Sequence, residues 1–198
     1  MTEQAEHRVE IVASVSTATA KELVIDYSIA NRSTGAIYVF DVVARFDKGQ
    51  VVVDDHAGYA VLDADGSLRI IVGLLKLTKR INATPPILVS IVEAGQVRRN
   101  TLRFALPLHQ RHPYFPIIEV APSAATTRAT SARLQIGWVE QRGQGNLGER
   151  KVGDATLHQL SGNWGSPLQR IKTIELALPD LPVVPYPEPL APQTMFVQ

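Results

Sequence analysis

The 198-residue chain contains no cysteine. Disulfides, thiolate metal sites and a thiol nucleophile are therefore excluded, and the balance tilts toward a reducing compartment. Proline is missing from the first 84 residues, although the chain has 13 in all. No stretch approaches the roughly eighteen apolar residues that a membrane-spanning helix needs. The opening MTEQAEHRVE has no apolar core, so no secretory leader is expected in it. A large excess of either charge is also missing. Lys and Arg total 20 against 19 Asp and Glu, a net charge of +1, which offers no general attraction for nucleic acid or an anionic membrane. The expectation is a cytoplasmic protein with neither nucleic acid nor membrane among its partners.

What is present is ordinary globular material. The hydrophobic fraction is 45% and the charged fraction 20%, enough for one large domain or two small ones. The charges are unevenly placed. Residues 1 to 65 hold eleven acids and five bases, whereas residues 66 to 114 hold Glu93 alone against eight bases. The simpler reading is that acidic and basic strands face each other within one domain. The sharper one is a dipole that orients a partner or a second copy.

Apolar alternation with a period of two dominates the first half. Val9, Ile11, Ala13 and Val15 alternate with Glu10 and Ser14, a strand with one wet face. Leu23 to Phe46 is the strongest signal: two long strands, read as a hairpin or strand pair, joined by Asn31-Arg32-Ser33-Thr34-Gly35. The second of these is apolar on both parities, with Tyr38 and Phe40 on one side and Ile37 and Val39 on the other. Something must cover its second face. Asp63-Ala64-Asp65-Gly66 between Tyr59–Leu62 and Leu68–Val72 reads as a tight hairpin. Ile87–Val92 and Val97–Leu106 read as another, bending at Glu93-Ala94-Gly95-Gln96. No amphipathic helix of ordinary length is found in this half.

Beyond Pro107 the pattern loosens. Ile117–Val120, Leu134–Val139 and Ile171–Leu178 read as strands and Ala155–Leu160 as a helical turn. APSAATTRATSA, residues 121 to 132, reads as a low-complexity loop and residues 142 to 150 as a glycine-rich one. The tail PDLPVVPYPEPLAP carries six prolines between Pro179 and Pro192. It is expected to be extended rather than helix or central strand, and to pack along its own domain or dock on a partner. A short echo links the halves: Phe104-Ala105-Leu106-Pro107 and Leu176-Ala177-Leu178-Pro179 are each followed by a Pro-Tyr pair. Two strands leaving a domain through the same proline-ended exit explain it better than a duplication.

The motifs for chemistry are weak. Gly143-Gln144-Gly145-Asn146-Leu147-Gly148 matches GxGxxG, but the next residues make a poor helix and no acid follows about twenty residues on. Asp63, Asp65 and Gly66 look like the start of a calcium loop without its terminal glutamate, with Asp54 and Asp55 as further oxygens. His109 and His112 are three apart in a proline-bounded loop and lack a third ligand. No G-x-S-x-G is present. No catalytic residue, metal or cofactor is therefore expected. Trp164 in the Ser161–Ser166 loop, with Tyr114 and Tyr186, is the candidate ligand-binding platform.

The strand rhythm of residues 7 to 106, with Asn31 closing one strand and Tyr38-Val39-Phe40 opening the next, resembles that of immunoglobulin-like bacterial modules. The chain departs from antibody-type domains in having no Cys pair with a Trp between them. The expected architecture is all-β: an immunoglobulin-like antiparallel β-sandwich over 1–114, a β-rich extension over 115–178 packed on or continuing it, and an extended proline-rich tail over 179–198. The expected function is non-enzymatic: a structural or protein-interaction role exercised through sheet edges, the tail and self-association with a protein partner or a second copy. The alternative is a small-ligand or carbohydrate-binding module.

Overall fold

The computed structural model describes residues 8–47, 50–74, 86–110, 126–141, 146–161, 169–178 and 180–185. Among them every regular element is a strand. In chain order these are β1 (Val9–Ala18), β2 (Glu22–Asn31), β3 (Ile37–Asp47), β4 (Gln50–Asp54), β5 (Tyr59–Leu62), β6 (Ser67–Val72), β7 (Ile87–Val92), β8 (Val97–Ala105), β9 (Leu108–His109), β10 (Thr127–Ala129), β11 (Ser131–Glu140), β12 (Asn146–Val152), β13 (Ala155–Ser161), β14 (Arg170–Leu176) and β15 (Leu181–Val184). No helix of the described residues is long and apolar enough to cross a membrane.

The strands form three sheets. β1-β2-β8 make a three-stranded antiparallel sheet. A nine-stranded sheet runs β12-β13-β7-β3-β11-β6-β5, with β14 on β11 and β4 on β3. A small sheet runs β10-β15-β9. One buried cluster joins all three. It takes Leu23, Ile25 and Ile29 from the first, Val39, Ile70 and Leu134 from the second, and Leu108 and Val183 from the third. Each Leu or Ile fully buried there contributes about 2 kcal/mol.

The strand pair read from Leu23 to Phe46 is two strands but not a hairpin. β2 pairs with β1 and β8, and β3 with β4, β7 and β11. The turn after Asn31 carries the chain from one sheet to the other. The same holds for the hairpin expected from Ile87–Val92 and Val97–Leu106, because β7 lies in the large sheet and β8 in the three-stranded antiparallel one. Each strand buries its apolar parity against the facing sheet, and a crossover serves that burial better than a flat hairpin.

These crossovers run side by side and Asn31 joins them. Its side chain is fully buried. Nδ2 donates to the carbonyls of Gly35 at 2.9 Å and Val92 at 2.8 Å, and Oδ1 accepts from the Ser33 amide and hydroxyl. Its main chain exchanges bonds with the other turn: the Asn31 N–H donates to Gln96 and the Gly95 N–H to Asn31. Gly95 has a φ of 78°, which its missing Cβ makes inexpensive.

On the second face of β3 the apolar side chains are buried beside those of neighbouring strands in the same sheet. Tyr38 and Phe40 lie in a second cluster with Val89 of β7, Val139 of β11 and Leu160 of β13. β11, β12, β13 and β14 thus belong to the same large sheet as β3. Along β11, β14 occupies one edge over 132–138; on the other, β6 runs parallel over 131–136 and β3 takes over at Trp138. Gly137 sits at that handover. A Cβ there would collide with the Gln169 side chain and lie 3.2 Å from Gly73 Cα. Gln169 bonds Leu74 twice, accepting from its N–H at 2.9 Å and donating to its carbonyl.

Other expectations change as well. Ala155–Leu160 is strand, not a helical turn, and closes a hairpin with β12 through Gly153 at φ 59°. The glycine-rich stretch enters that strand at Asn146, so GxGxxG leads into β-structure and no helix N-terminus faces a phosphate there. The low-complexity stretch contributes β10 and the start of β11. The tail contributes β15, which is central in its sheet despite Pro182. Pro182 pairs with Arg128 of β10, and the parallel pairing with β9 begins one residue later at Val183. The missing N–H therefore interrupts no bond to β9. The two echoing exits lead to β9 and β15, which are neighbours. Residues 75–85 and 111–125, which include the expected strand at Ile117–Val120, lie outside the described residues.

Candidate functional site

The expected platform residues Trp164, Tyr114 and Tyr186 lie outside the described residues, as does His112. His109 is exposed on β9. The described residues that come together are others, on the outer face of the β1-β2-β8 sheet.

Strand alternation builds this face. Odd positions of β1 and β2 point into the core, so Val12, Ser14, Asp26 and Ser28 point out. β8 adds Arg99 and Thr101, because Ser28 stands opposite Arg99 and Asp26 opposite Thr101. The result is an open trough of about 660 Å³ crossing all three strands, with His56 on its rim. Thr101 Oγ1 donates to Asp26 Oδ1 at 2.7 Å. That bond holds the Asp26 carboxyl below its ordinary range. Ser16 acts in the same direction, partial burial opposes it, and the Arg103 guanidinium adds a smaller lowering.

The sheet's two edges are treated differently. The outer edge of β8 is covered by the turn after β4. The Arg103 N–H donates to the His56 carbonyl at 2.9 Å, and Asn100 Nδ2 donates to the Asp55 carbonyl at 2.8 Å. His56 Nδ1 lies 2.9 Å from the Thr101 carbonyl, which can only accept, so Nδ1 carries the proton. Asp54 Oδ1 accepts from the His56 N–H at 3.0 Å. The acids and the histidine of this turn thus act as a strand surrogate that closes an edge. The β1 edge has no such cover among the described residues. Among those residues β1 pairs with β2 alone, and no ladder joins it to the nearby β14. Val12 is 65% exposed and, on β14, Ile171 is 52% exposed.

Behind the trough, inside the core, lies a polar network. Asp41 is fully buried on β3, at the register shift between Val39 and Val42. Its Oδ2 accepts from Arg98 Nε, with the Tyr27 hydroxyl 3.5 Å away, and its Oδ1 has no hydrogen-bond partner among the described residues. Asn100 Nδ2 reaches the Tyr27 hydroxyl at 3.3 Å. Burial pushes the Tyr27 phenol strongly up, and the adjacent carboxylate pushes it further.

Asp63 and Asp65 do not form the start of a cation loop. Asp63 is gripped by Arg69, through Nε at 2.8 Å and Nη2 at 2.7 Å, and by Arg133 at 2.9 Å. Asp65 caps Ser67, accepting from its amide and hydroxyl, which lowers its pKa. Among the described residues no three His, Asp or Glu side chains converge as a metal site would require. The basic residues of the middle third also divide. Arg98 turns inward to Asp41, Arg103 reaches Glu22 at 3.4 Å, and Arg99 faces the trough.

The β1 edge and the trough were not marked out by motif reasoning. A sequence signal existed: Ile11 to Ala20 holds no charged residue. Comparison with protein-family models, characterised proteins and solved structures finds no match to this chain.

Proposed function

We propose that the protein is a non-enzymatic interaction module, an immunoglobulin-like β-sandwich that takes a partner strand onto the open edge of β1. The open edge is the observation that carries this reading. Among the described residues β1 is paired on one side alone, with the N–H and C=O groups of Val9, Ile11, Ala13 and Val15 turned away from β2, whereas the opposite edge of the same sheet is closed by the Asp54–His56 turn. Strand addition uses such an edge for affinity and its side chains for specificity. The sandwich reading is supported by two sheets facing across one cluster, with chain crossovers after β2 and β7. The non-enzymatic reading is supported by the engagement of the buried or half-buried acids: Asp41 with Arg98, and Asp63 with two arginines. The lack of cysteine fits a cytoplasmic setting.

The test compares the native chain with Ala13→Pro by light scattering and native mass spectrometry, including whatever co-purifies. A complex that the proline variant loses while keeping its β-sheet circular dichroism supports strand addition. A native chain that stays monomeric and partnerless at high concentration, or a complex indifferent to the substitution, overturns it.

The trough favours a second reading, a small polar ligand such as a sugar held between Asp26, Thr101 and Ser28. A glycan panel that leaves the amide spectra of these residues unmoved removes it.

A further inference from the structure

We infer that the strand received by β1 is β1 of a second copy of this chain, antiparallel, with Val12 facing Val12 across a twofold axis. The inference rests on the reading of β1 as a strand-addition edge and names its partner.

Three observations select the register. The first is the hydrogen-bond alternation. The Arg32 N–H donates to the Arg8 carbonyl at 2.7 Å at the mouth of the β1–β2 ladder, and Val9 stands opposite Asn31 and Glu10 opposite Ala30. Arg8 and Arg32 are thus a hydrogen-bonded pair, and alternation makes the even positions of β1 bond to β2. The N–H and C=O groups of Val9, Ile11, Ala13 and Val15 point to the open edge. The second is regularity. The ladder runs without interruption from Val9 to Val15 and shifts between Val15 and Thr17. The regular edge is therefore Val9–Val15, and its midpoint is Val12. The third is exposure: Val12 is 65% exposed and stands on the outer face.

A twofold antiparallel pairing through that midpoint uses the outward-pointing groups. Val9 meets Val15 and Ile11 meets Ala13 as hydrogen-bonded pairs. Val12 meets its copy as a non-hydrogen-bonded pair, where Cα atoms approach to about 4.5 Å and side chains are closest. Each exposed valine covers the other. Glu10 falls opposite Ser14, so no like charges oppose. On the inner side, Val9, Ile11, Ala13 and Val15 all border the main cluster. The two sheets then continue as six strands over an unbroken apolar face. The edge carries neither lysine nor proline over its length, the devices that usually prevent such pairing. One strand pair is smaller than the roughly 1,600 Å² of a standard interface, so association is concentration-dependent.

The chain's lack of cysteine makes the register directly readable. Val12→Cys is expected to give a covalent dimer on mild oxidation, because the two thiols meet at the axis. Ser14→Cys, which faces Glu10 in this register, is expected to remain largely uncrosslinked under the same conditions. In light scattering of the purified chain, Ala13→Pro removes an outward N–H and is expected to weaken dimerisation at least tenfold. If Ala13→Pro does not fold, Val12→Lys serves instead, placing two ammonium groups face to face with the same expected loss. A purified chain that is monomeric at every concentration overturns the inference, as do equal crosslinking at both positions and a dimer untouched by either variant. A monomer whose β1 amides become protected against exchange by a different bound protein overturns self-pairing and leaves strand addition standing.

Discussion

Asn31 Nδ2 donates to the carbonyl of Val92 at 2.8 Å, linking two sheet-to-sheet crossovers that are 61 residues apart in sequence. The bond is buried and replaces any pairing between β2 and β3. Asn31→Ala leaves the Val92 and Gly35 carbonyls without this donor in a region that excludes water. The expected loss is about 3 kcal/mol, from the desolvation cost of orphaned buried polar groups. Urea denaturation measures it, and a loss near zero would mean the crossovers hold without the side chain.

Arg98 is the cation that faces the fully buried Asp41. Removing one member of such a pair strands the other, so Arg98→Met is expected to destabilise by about 3–5 kcal/mol. Arg98→Met with Asp41→Leu removes both charges and should recover most of that loss. A double variant no more stable than the single one would show that the pair is not the source of the effect.

Asp26 gives a pH signature with a definite sign. Its folded pKa is depressed, first by the Thr101 hydroxyl. The stability it contributes is therefore present above its unfolded value, about 3.9, and is lost as pH falls through the lower folded value. Thr101→Val should be less stable than the native chain at neutral pH, and the gap should narrow in acid. Thermal melts at neutral pH and near pH 2.5 compare the two, and a gap that stays constant rejects the linkage.

Gly137 accepts no side chain while Gln169 holds Leu74 by two bonds. Gly137→Ala must displace that amide, at an expected cost of about 2 kcal/mol from overpacking. In a Gln169→Ala background the added cost of Gly137→Ala should shrink, because the obstructing group is already gone. Additive losses in the double-mutant cycle would place the obstruction in the Gly73 backbone instead.

Most of the strands were legible in the chain. Period-two alternation found β1, β2, β3, β8, β11 and β14, and apolar runs beside turn residues marked β5, β6 and β7. Where burial is one-sided and weak, the signal failed. β13 has three exposed and three half-buried positions and reads as a helical turn, and β12 is mostly exposed and hidden among glycines. β15 was obscured by Pro182, whose missing N–H harms a central strand only where a partner needs it. The pairing partners were illegible. Asn31-Arg32-Ser33-Thr34-Gly35 has the composition of a hairpin turn whether the strands it joins pair or part. Of the site, the residue types were visible and their convergence was not.

The sequence alone determined an all-β chain without thiol chemistry or a strong charge bias, because alternation and composition are local properties. It also determined that β3 needs cover on two sides. Only the tertiary structure decided which strands share a sheet and that, among the described residues, β8 has a covered edge while β1 is paired on one side alone. Those outcomes depend on contacts between segments tens of residues apart: the Asp54–His56 turn on β8, β11 between β14 and β6, Asn31 on Val92. Their stabilisation comes from burying both partners together, so neither segment carries it alone.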